Sequence, residues 1–183
     1  MKPIILDRDG VINIDSDEFI KHPDEWLPIK GSLEAIGQLT SAGYSVFVIT
    51  NQSGIARKLF TIGDLTRIHR KMVEAVRHHG GQIEAILYCP HGPDDYCACR
   101  KPQPGLFNEL AERLNTSLSD VPAIGDSIRD LQAAHSAGAS PILVKTGKGR
   151  KSIAALAKGQ HPELEQVPTY KSLAAYVDSL LKT

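Results

Sequence analysis

The stretch PIILDRDGVIN, residues 3–13, runs from a short apolar segment straight into two carboxylates and a glycine. PIIL has the length and composition of a strand buried on both faces, where apolar residues run on without alternation. Asp7 and Asp9 stand two apart, so an extended backbone would set both side chains on one side, and Gly10 permits a sharp turn after them. Carboxylates that close repel one another unless a cation or a shared proton intervenes. Oxygen ligands of this kind, completed by a third acid such as Asp126, suit magnesium, which keeps waters and accepts phosphate oxygens. Standing alone, the same two acids would fit an ordinary turn.

The pattern repeats along the chain. SVFVIT (45–50), AILYC (85–89), VPAIG (121–125) and SPILVK (140–145) are further strand-like runs. Between them apolar residues recur at helical spacing: Leu33, Ile36 and Leu39; then Ile62, Leu65, Ile68, Met72 and Val76; then Leu106, Leu110 and Leu114; then Ile128 and Leu131. SLAAYVDSLLK (172–182) is a last amphipathic helix. Gly43, Gly80 with Gly81, and Gly138 fall where helices end, as left-handed caps would. Strand alternating with helix predicts an α/β fold, a doubly wound, mostly parallel sheet with helices on both faces, in one domain spanning 1–183. No insertion large enough for a cap domain separates residues 10 and 45, or 54 and 85. Ligands of such sheets gather beyond the carboxyl ends of the strands. The polar segments obey this, with DRDGVIN, TNQSG, the cysteine cluster and GDSIRD each following a strand.

Composition narrows the partners. The 21 basic and 21 acidic residues cancel, so neither nucleic acid nor a membrane surface is an expected partner. A small molecule is. The amino-terminal apolar run is too short for a signal peptide or a span, and a cytoplasmic protein is expected. No long apolar stripe is left after the core is assigned, which predicts a monomer.

Two further segments carry phosphate chemistry. Thr50 offers a hydroxyl, and the amides that follow it offer a cradle, at the end of a buried strand. In RKP (100–102), Lys101 suits charge screening beside a transferring phosphate, and Arg100 carries the planar fork that grips a second one. All three cysteines lie just before. Cys89, His91, Cys97 and Cys99 supply four ligands of the kind that closes a tetrahedral zinc site, leaving no position for substrate. Such a zinc would be structural, shaping the loop 89–99 and aiming Arg100 and Lys101. A disulfide between Cys97 and Cys99 would close a strained small ring.

With these residues in view, the chain resembles the haloacid dehalogenase superfamily of phosphohydrolases: Asp-x-Asp after a strand, then Thr, then Lys, then Gly-Asp with a nearby acid. DRDG, TNQSGIAR, CPH, CRKP and TGKG, over roughly residues 4–150, are similar to the bacterial heptose bisphosphate phosphatases in particular. The resemblance implies Asp7 as nucleophile, Asp9 as general acid and base, and Thr50 and Lys101 as phosphoryl stabilisers. It implies magnesium on Asp7, the Asp9 carbonyl and Asp126, with Asp130 behind. Asp15, Asn51, Gln52, Ser53 and Arg100 would contact the sugar or its second phosphate. Some members carry His-Gly-Tyr after the acid matching Asp15, where this chain reads DSDEF. The implied substrate is a phosphorylated sugar, a heptose 1,7-bisphosphate losing its 7-phosphate on the way to nucleotide-activated heptose for surface glycan. Histidinol phosphate is the alternative substrate, since related histidine-pathway enzymes share the zinc loop. A non-catalytic metal-bound module is a third reading, opposed by the intact catalytic set.

Other residues carry less. His69, His78 and His79 are expected to face solvent on or beside a charged helix. TGKGRK (146–151) reads as a flexible loop that brushes the substrate, and Phe19 and Trp26 as core or loop packing, with walling of the site as the alternative.

Overall fold

In the computed structural model, which describes residues 2–182, the expected alternation is present. It runs β1 (Lys2–Leu6), α1 (Ser32–Ser41), β2 (Tyr44–Asn51), α2 (Ile62–His78), β3 (Ile83–Cys89), α3 (Gly105–Leu114), β4 (Pro122–Gly125), α4 (Ile128–Ser136), β5 (Ser140–Val144), α5 (Gly149–Leu156), β6 (Thr169–Tyr170) and α6 (Leu173–Leu180). The strands form one parallel sheet in the order β3-β2-β1-β4-β5-β6. The chain therefore starts in the middle of its sheet. It winds outward through β2 and β3, then returns to place β4 on the other side of β1, which makes the β1/β4 boundary the switch point where ligands of such sheets sit.

Alternation along each strand divides the core. Ile4, Leu6, Val46 and Val48 join Leu33, Ile36 and Leu39 of α1, Ile68, Met72 and Val76 of α2, and Val177 of α6 on one face. Ile5, Phe47 and Ile49 join Leu106, Phe107 and Leu110 of α3 and Ala133 and Ala134 of α4 on the other. Thr61 starts α2 with a capping box, its hydroxyl accepting from the Asp64 amide at 3.1 Å while Asp64 accepts from the Thr61 amide at 2.8 Å. The connections from β1 to α1 (7–31) and from β2 to α2 (52–61) hold nothing longer than the one-turn helix Pro23–Glu25, so among the described residues neither forms a cap domain.

Several expectations are corrected. The second half of TGKGRK, residues 149–151, opens helix α5 instead of continuing a flexible loop, and the two-residue β6 has no apolar run to announce it. Gly43, Gly80 and Gly138 take the left-handed conformation, but Gly81 does not. A Cβ on Gly81 would lie 2.8 Å from Val76 and 3.2 Å from the backbone of Gly37, so its small size serves close packing. Trp26 is buried in the core as expected. Among the described residues no helix is long and apolar enough to cross a membrane.

Candidate active site

Three adjacent strands supply the centre of the site. Asp7 follows β1, Thr50 belongs to β2, and Asp126 follows β4. Lys101 reaches them from the loop after β3. Its ammonium, buried with the rest of the side chain, donates to Asp7 Oδ1 at 2.9 Å and to the Ile49 carbonyl at 2.9 Å, and it pairs with Asp130 Oδ1 at 2.7 Å. Burial opposes that charge, yet Asp130 and Asp7 hold the Lys101 pKa above its usual value.

Asp7, Asp126 and Asp130 each offer an oxygen within 4.8 Å of the others. One lysine cannot balance three carboxylates. Burial, with Asp130 and Asp9 nearby, pushes Asp7 up to about 7 against the pull of Lys101. Burial, Asp130 and Asp7 push Asp126 up to about 9. Carboxylates crowded and under-compensated in this way fit a divalent cation bound by hard oxygen donors. Asp130 is already occupied: Lys101 takes Oδ1, and the Ser127 amide and hydroxyl donate to Oδ2 at 2.9 and 2.6 Å.

Glycine makes room for Asp126. Gly10 has φ +83°, and a Cβ there would fall 2.0 Å from Asp126 Oδ2; a Cβ on Gly147 would fall 2.1 Å from the same oxygen. The 146–149 segment is tied down on this spot. The Lys148 amide donates to Asp126 Oδ2 at 2.7 Å, the Thr146 hydroxyl donates to the Gly10 carbonyl at 2.6 Å, and the Lys148 ammonium pairs with Asp15 at 3.1 Å.

Asp9 is embraced from several sides. Arg8, buried despite its charge, donates from Nη2 to both carboxylate oxygens at 2.9 Å and from Nε to Oδ1 at 3.1 Å. Asn13 and Gln52 add donors at 2.9 and 3.0 Å. Burial works the other way, but Arg8 and these amides hold the Asp9 carboxyl below its ordinary value. Its resting form is the ionised one. Gln52 also donates to the Thr50 hydroxyl at 2.9 Å. Asn51 spends its side chain on the Lys101 backbone, giving to the carbonyl at 3.0 Å and accepting from the amide at 3.1 Å.

The cavity at these strand ends brings together Asp7, Asp9, Asp15, Thr50, Asn51, Gln52, Ser53, Arg100, Lys101 and Asp126, the whole expected oxygen-and-base set. It also includes Phe19, Lys148, Arg8 and Arg129, the last two absent from the sequence reading. Phe19 thus walls the site instead of filling the core, with Arg57 5.8 Å above its ring. His69 is half-buried and touches Arg8, contrary to the solvent-facing expectation, whereas His78 and His79 are exposed as expected. Arg129 lies in the first turn of α4, three residues after Asp126, and lines the cavity. Burial and the nearby Arg129 lower the Arg100 pKa. Paired guanidinium groups facing one cavity invite a dianion.

Beside the cavity the second ligand cluster is assembled. Cys99 Sγ lies 3.2 Å from Cys89 Sγ and 3.5 Å from Cys97 Sγ, and Cys89 Sγ lies 3.7 Å from Cys97 Sγ. His91 Nδ1 is 3.2 Å from Cys99 and 3.6 Å from Cys89. A tetrahedral zinc with bonds of about 2.3 Å to sulfur has sulfur–sulfur edges of about 3.8 Å, so the donor set fits that ion. The thiols are unbridged.

A parallel sheet with a carboxylate after its central strand, a lysine across from it and a cation-ready acid cluster defines a phosphohydrolase of the haloacid dehalogenase type. Family models agree: one described as HAD-hydrolase-like matches residues 98–174, and one described as polynucleotide kinase 3 phosphatase matches residues 4–130. The D-glycero-beta-D-manno-heptose-1,7-bisphosphate 7-phosphatase of Bordetella bronchiseptica is 54% identical over 182 residues, covering 100% of this chain and 99% of the relative. That of Pseudomonas aeruginosa is 47% identical, covering 98% and 97%. The crystal structure of the B. bronchiseptica D,D-heptose 1,7-bisphosphate phosphatase complexed with magnesium and phosphate has a TM-score of 0.94 at 53% identity, covering 100% and 99%. The corresponding Burkholderia thailandensis structure has a TM-score of 0.77 at 40% identity, with full coverage of both chains. The chain belongs to the family of heptose 1,7-bisphosphate 7-phosphatases within the HAD-like hydrolases.

Proposed function

We propose that the chain is a magnesium-dependent phosphatase that removes the 7-phosphate of D-glycero-D-manno-heptose 1,7-bisphosphate and leaves the anomeric phosphate in place. The observation that carries this reading is Asp7 held between Lys101 and the Asp126 carboxylate at the sheet's switch point, in a chain of this family. Asp7, Asp126 and the Asp9 carbonyl would hold the magnesium, which when bound offsets charge on the equatorial phosphoryl oxygens.

Asp7 attacks phosphorus in line, the bond to the sugar oxygen breaks, and an aspartyl phosphate forms while Lys101 and Thr50 stabilise the phosphoryl oxygens. Asp9 gives a proton to the departing alkoxide and then takes one from the water that cleaves the acyl phosphate, restoring Asp7. Because Asp9 rests ionised against Arg8, it takes that proton from solvent as substrate arrives. The incoming phosphate dianion supplies the reason, since added negative charge favours the neutral carboxyl. Arg100 and Arg129 receive the phosphate that stays, which favours a bisphosphate over histidinol phosphate. Asp15, Asn51, Gln52 and Ser53 bound the sugar, Asn51 chiefly by fixing Lys101. Zinc on Cys89, His91, Cys97 and Cys99 is structural. The product serves nucleotide-activated heptose synthesis for surface glycan, and the enzyme works as a cytoplasmic monomer in a single domain.

The test is magnesium-dependent turnover of both anomers of the heptose bisphosphate against histidinol phosphate, following the phosphorus resonances. Selective loss of the 7-phosphate is expected. Preference for histidinol phosphate would keep the mechanism and remove the sugar assignment.

A further inference from the structure

Helix α2 sends one polar side chain toward the acid–base carboxylate, and it does so through an intermediary. We propose that His69 is a positioning residue for the acid–base step, capping Arg8 so that the remaining edge of its guanidinium faces Asp9. The inference rests on the role given to Asp9 above.

The geometry limits the roles. Arg8 can only donate hydrogen bonds. Its Nε and Nη2 edge is used on Asp9, and Nη1 lies 3.3 Å from His69 Nε2. Nε2 must then accept, which puts the imidazole proton on Nδ1 and requires a neutral ring. Burial and the neighbouring guanidinium press the same way, lowering His69 to about 3. From its other side the ring meets Tyr88 of β3 edge-on, with centroids 6.2 Å apart. His69 is therefore fixed between a strand and an arginine that is 1% exposed.

The arrangement fixes the fork from two sides at once. Nε and Nη2 of Arg8 are held by Asp9 and Nη1 by His69, so the plane of the guanidinium, and with it the orientation of the Asp9 carboxylate, is set in part from α2.

The experiment compares a poor alkyl leaving group, the heptose bisphosphate or another alkyl phosphate, with p-nitrophenyl phosphate, whose departure needs no proton. His69→Leu is expected to lower the first-turnover rate of alcohol release from the alkyl ester about 10-fold, a fraction of the roughly 10²–10⁴-fold that acid–base catalysis supplies, with the first-turnover release of p-nitrophenolate unchanged, the later hydrolysis of the aspartyl phosphate being common to both esters. His69→Gln retains an acceptor and is expected to recover most of the loss. Equal losses on both esters, no loss on either, or a Gln variant no better than Leu would each overturn the proposal. Asp9→Asn run alongside separates the two readings: an even loss there removes the acid role of Asp9 and this inference with it, whereas a split there without one in His69→Leu removes the inference alone. The wild-type protein gives a check independent of variant folding. Nitrogen-15 spectra should show His69 Nε2 unprotonated, and a proton on that atom would sink the idea.

Discussion

The two ligand clusters of this molecule lie within one loop of each other and are built on opposite plans. The acid cluster draws Asp7, Asp126 and Asp130 from segments more than a hundred residues apart, and only the sheet brings them together. The sulfur cluster takes all its ligands from residues 89–99. The first is made of hard oxygens, crowded and under-compensated, with Lys101 reaching in from the side. The second presents four donors that close a tetrahedron by themselves. The difference teaches that chemistry is assigned to the cluster whose charge is left unresolved, and shape to the one that is complete.

The largest test of that contrast is Asp7→Asn. Turnover should fall on the order of 10⁵–10⁶-fold, the scale found when a covalent nucleophile is removed, while circular dichroism shows the fold retained. Appreciable turnover by the clean variant would reduce the acid cluster to a cation site. Breaking the other side, Cys99→Ser should cost the protein its equivalent of zinc by elemental analysis and destabilise it by on the order of 4 kcal/mol, the range associated with a lost metal. Its catalytic loss should be far smaller than that of Asp7→Asn. Wild-type stability and kinetics in zinc-free protein would show that the sulfur cluster shapes nothing.

Arg100 sits at the junction, one residue beyond Cys99 and one before Lys101. Arg100→Ala should raise KM for the bisphosphate about 10- to 100-fold, as loss of a charged hydrogen bond of about 1.5–3 kcal/mol requires, and leave a monophosphate nearly unaffected. Equal effects on both substrates would mean the residue belongs to the loop and not to the second phosphate.

The smallest effect concerns pH. Asp7 and Asp126 are raised above an unfolded value of 3.8, so their protons add stability that is fully present below that pH and is lost as pH rises through about 7 and about 9. Lys101, raised from 10.5, keeps its charge in both states over this window. Chelator-treated protein should therefore melt at lower temperature at pH 9 than at pH 6, and magnesium should flatten the slope. A slope of the opposite sign would mean that the acids are compensated without a cation.

How much of this was legible in the sequence depended on where polarity meets an apolar run. Asp7, Thr50 and Asp126 were readable because each ends or follows a buried strand, and the sulfur cluster because its ligands are neighbours in the chain. Arg8 was not, because a charged residue between two acids reads as solvated when it is in fact buried against Asp9. His69 follows Ile68 at the margin of the apolar face of α2, where periodicity does not decide between solvent and interior. The α5 start was hidden by GKGRK, whose glycines read as loop although Gly147 and Gly149 serve close approach to Asp126 and to the Val144 carbonyl. Asn51 showed its position but not its task, since a side-chain amide suits a sugar and a backbone equally well.

A strand order that begins at the centre also sets a timetable for synthesis. Domains fold as their segments leave the ribosome, amino-terminal parts first. All four ligands of the sulfur cluster are present once residue 99 has emerged, while β4, which must insert beside β1 to deliver Asp126, is still unmade. The nascent chain thus acquires the means to capture one metal well before it has the means to turn over substrate, and catalytic competence becomes a sign that the last half of the sheet has closed.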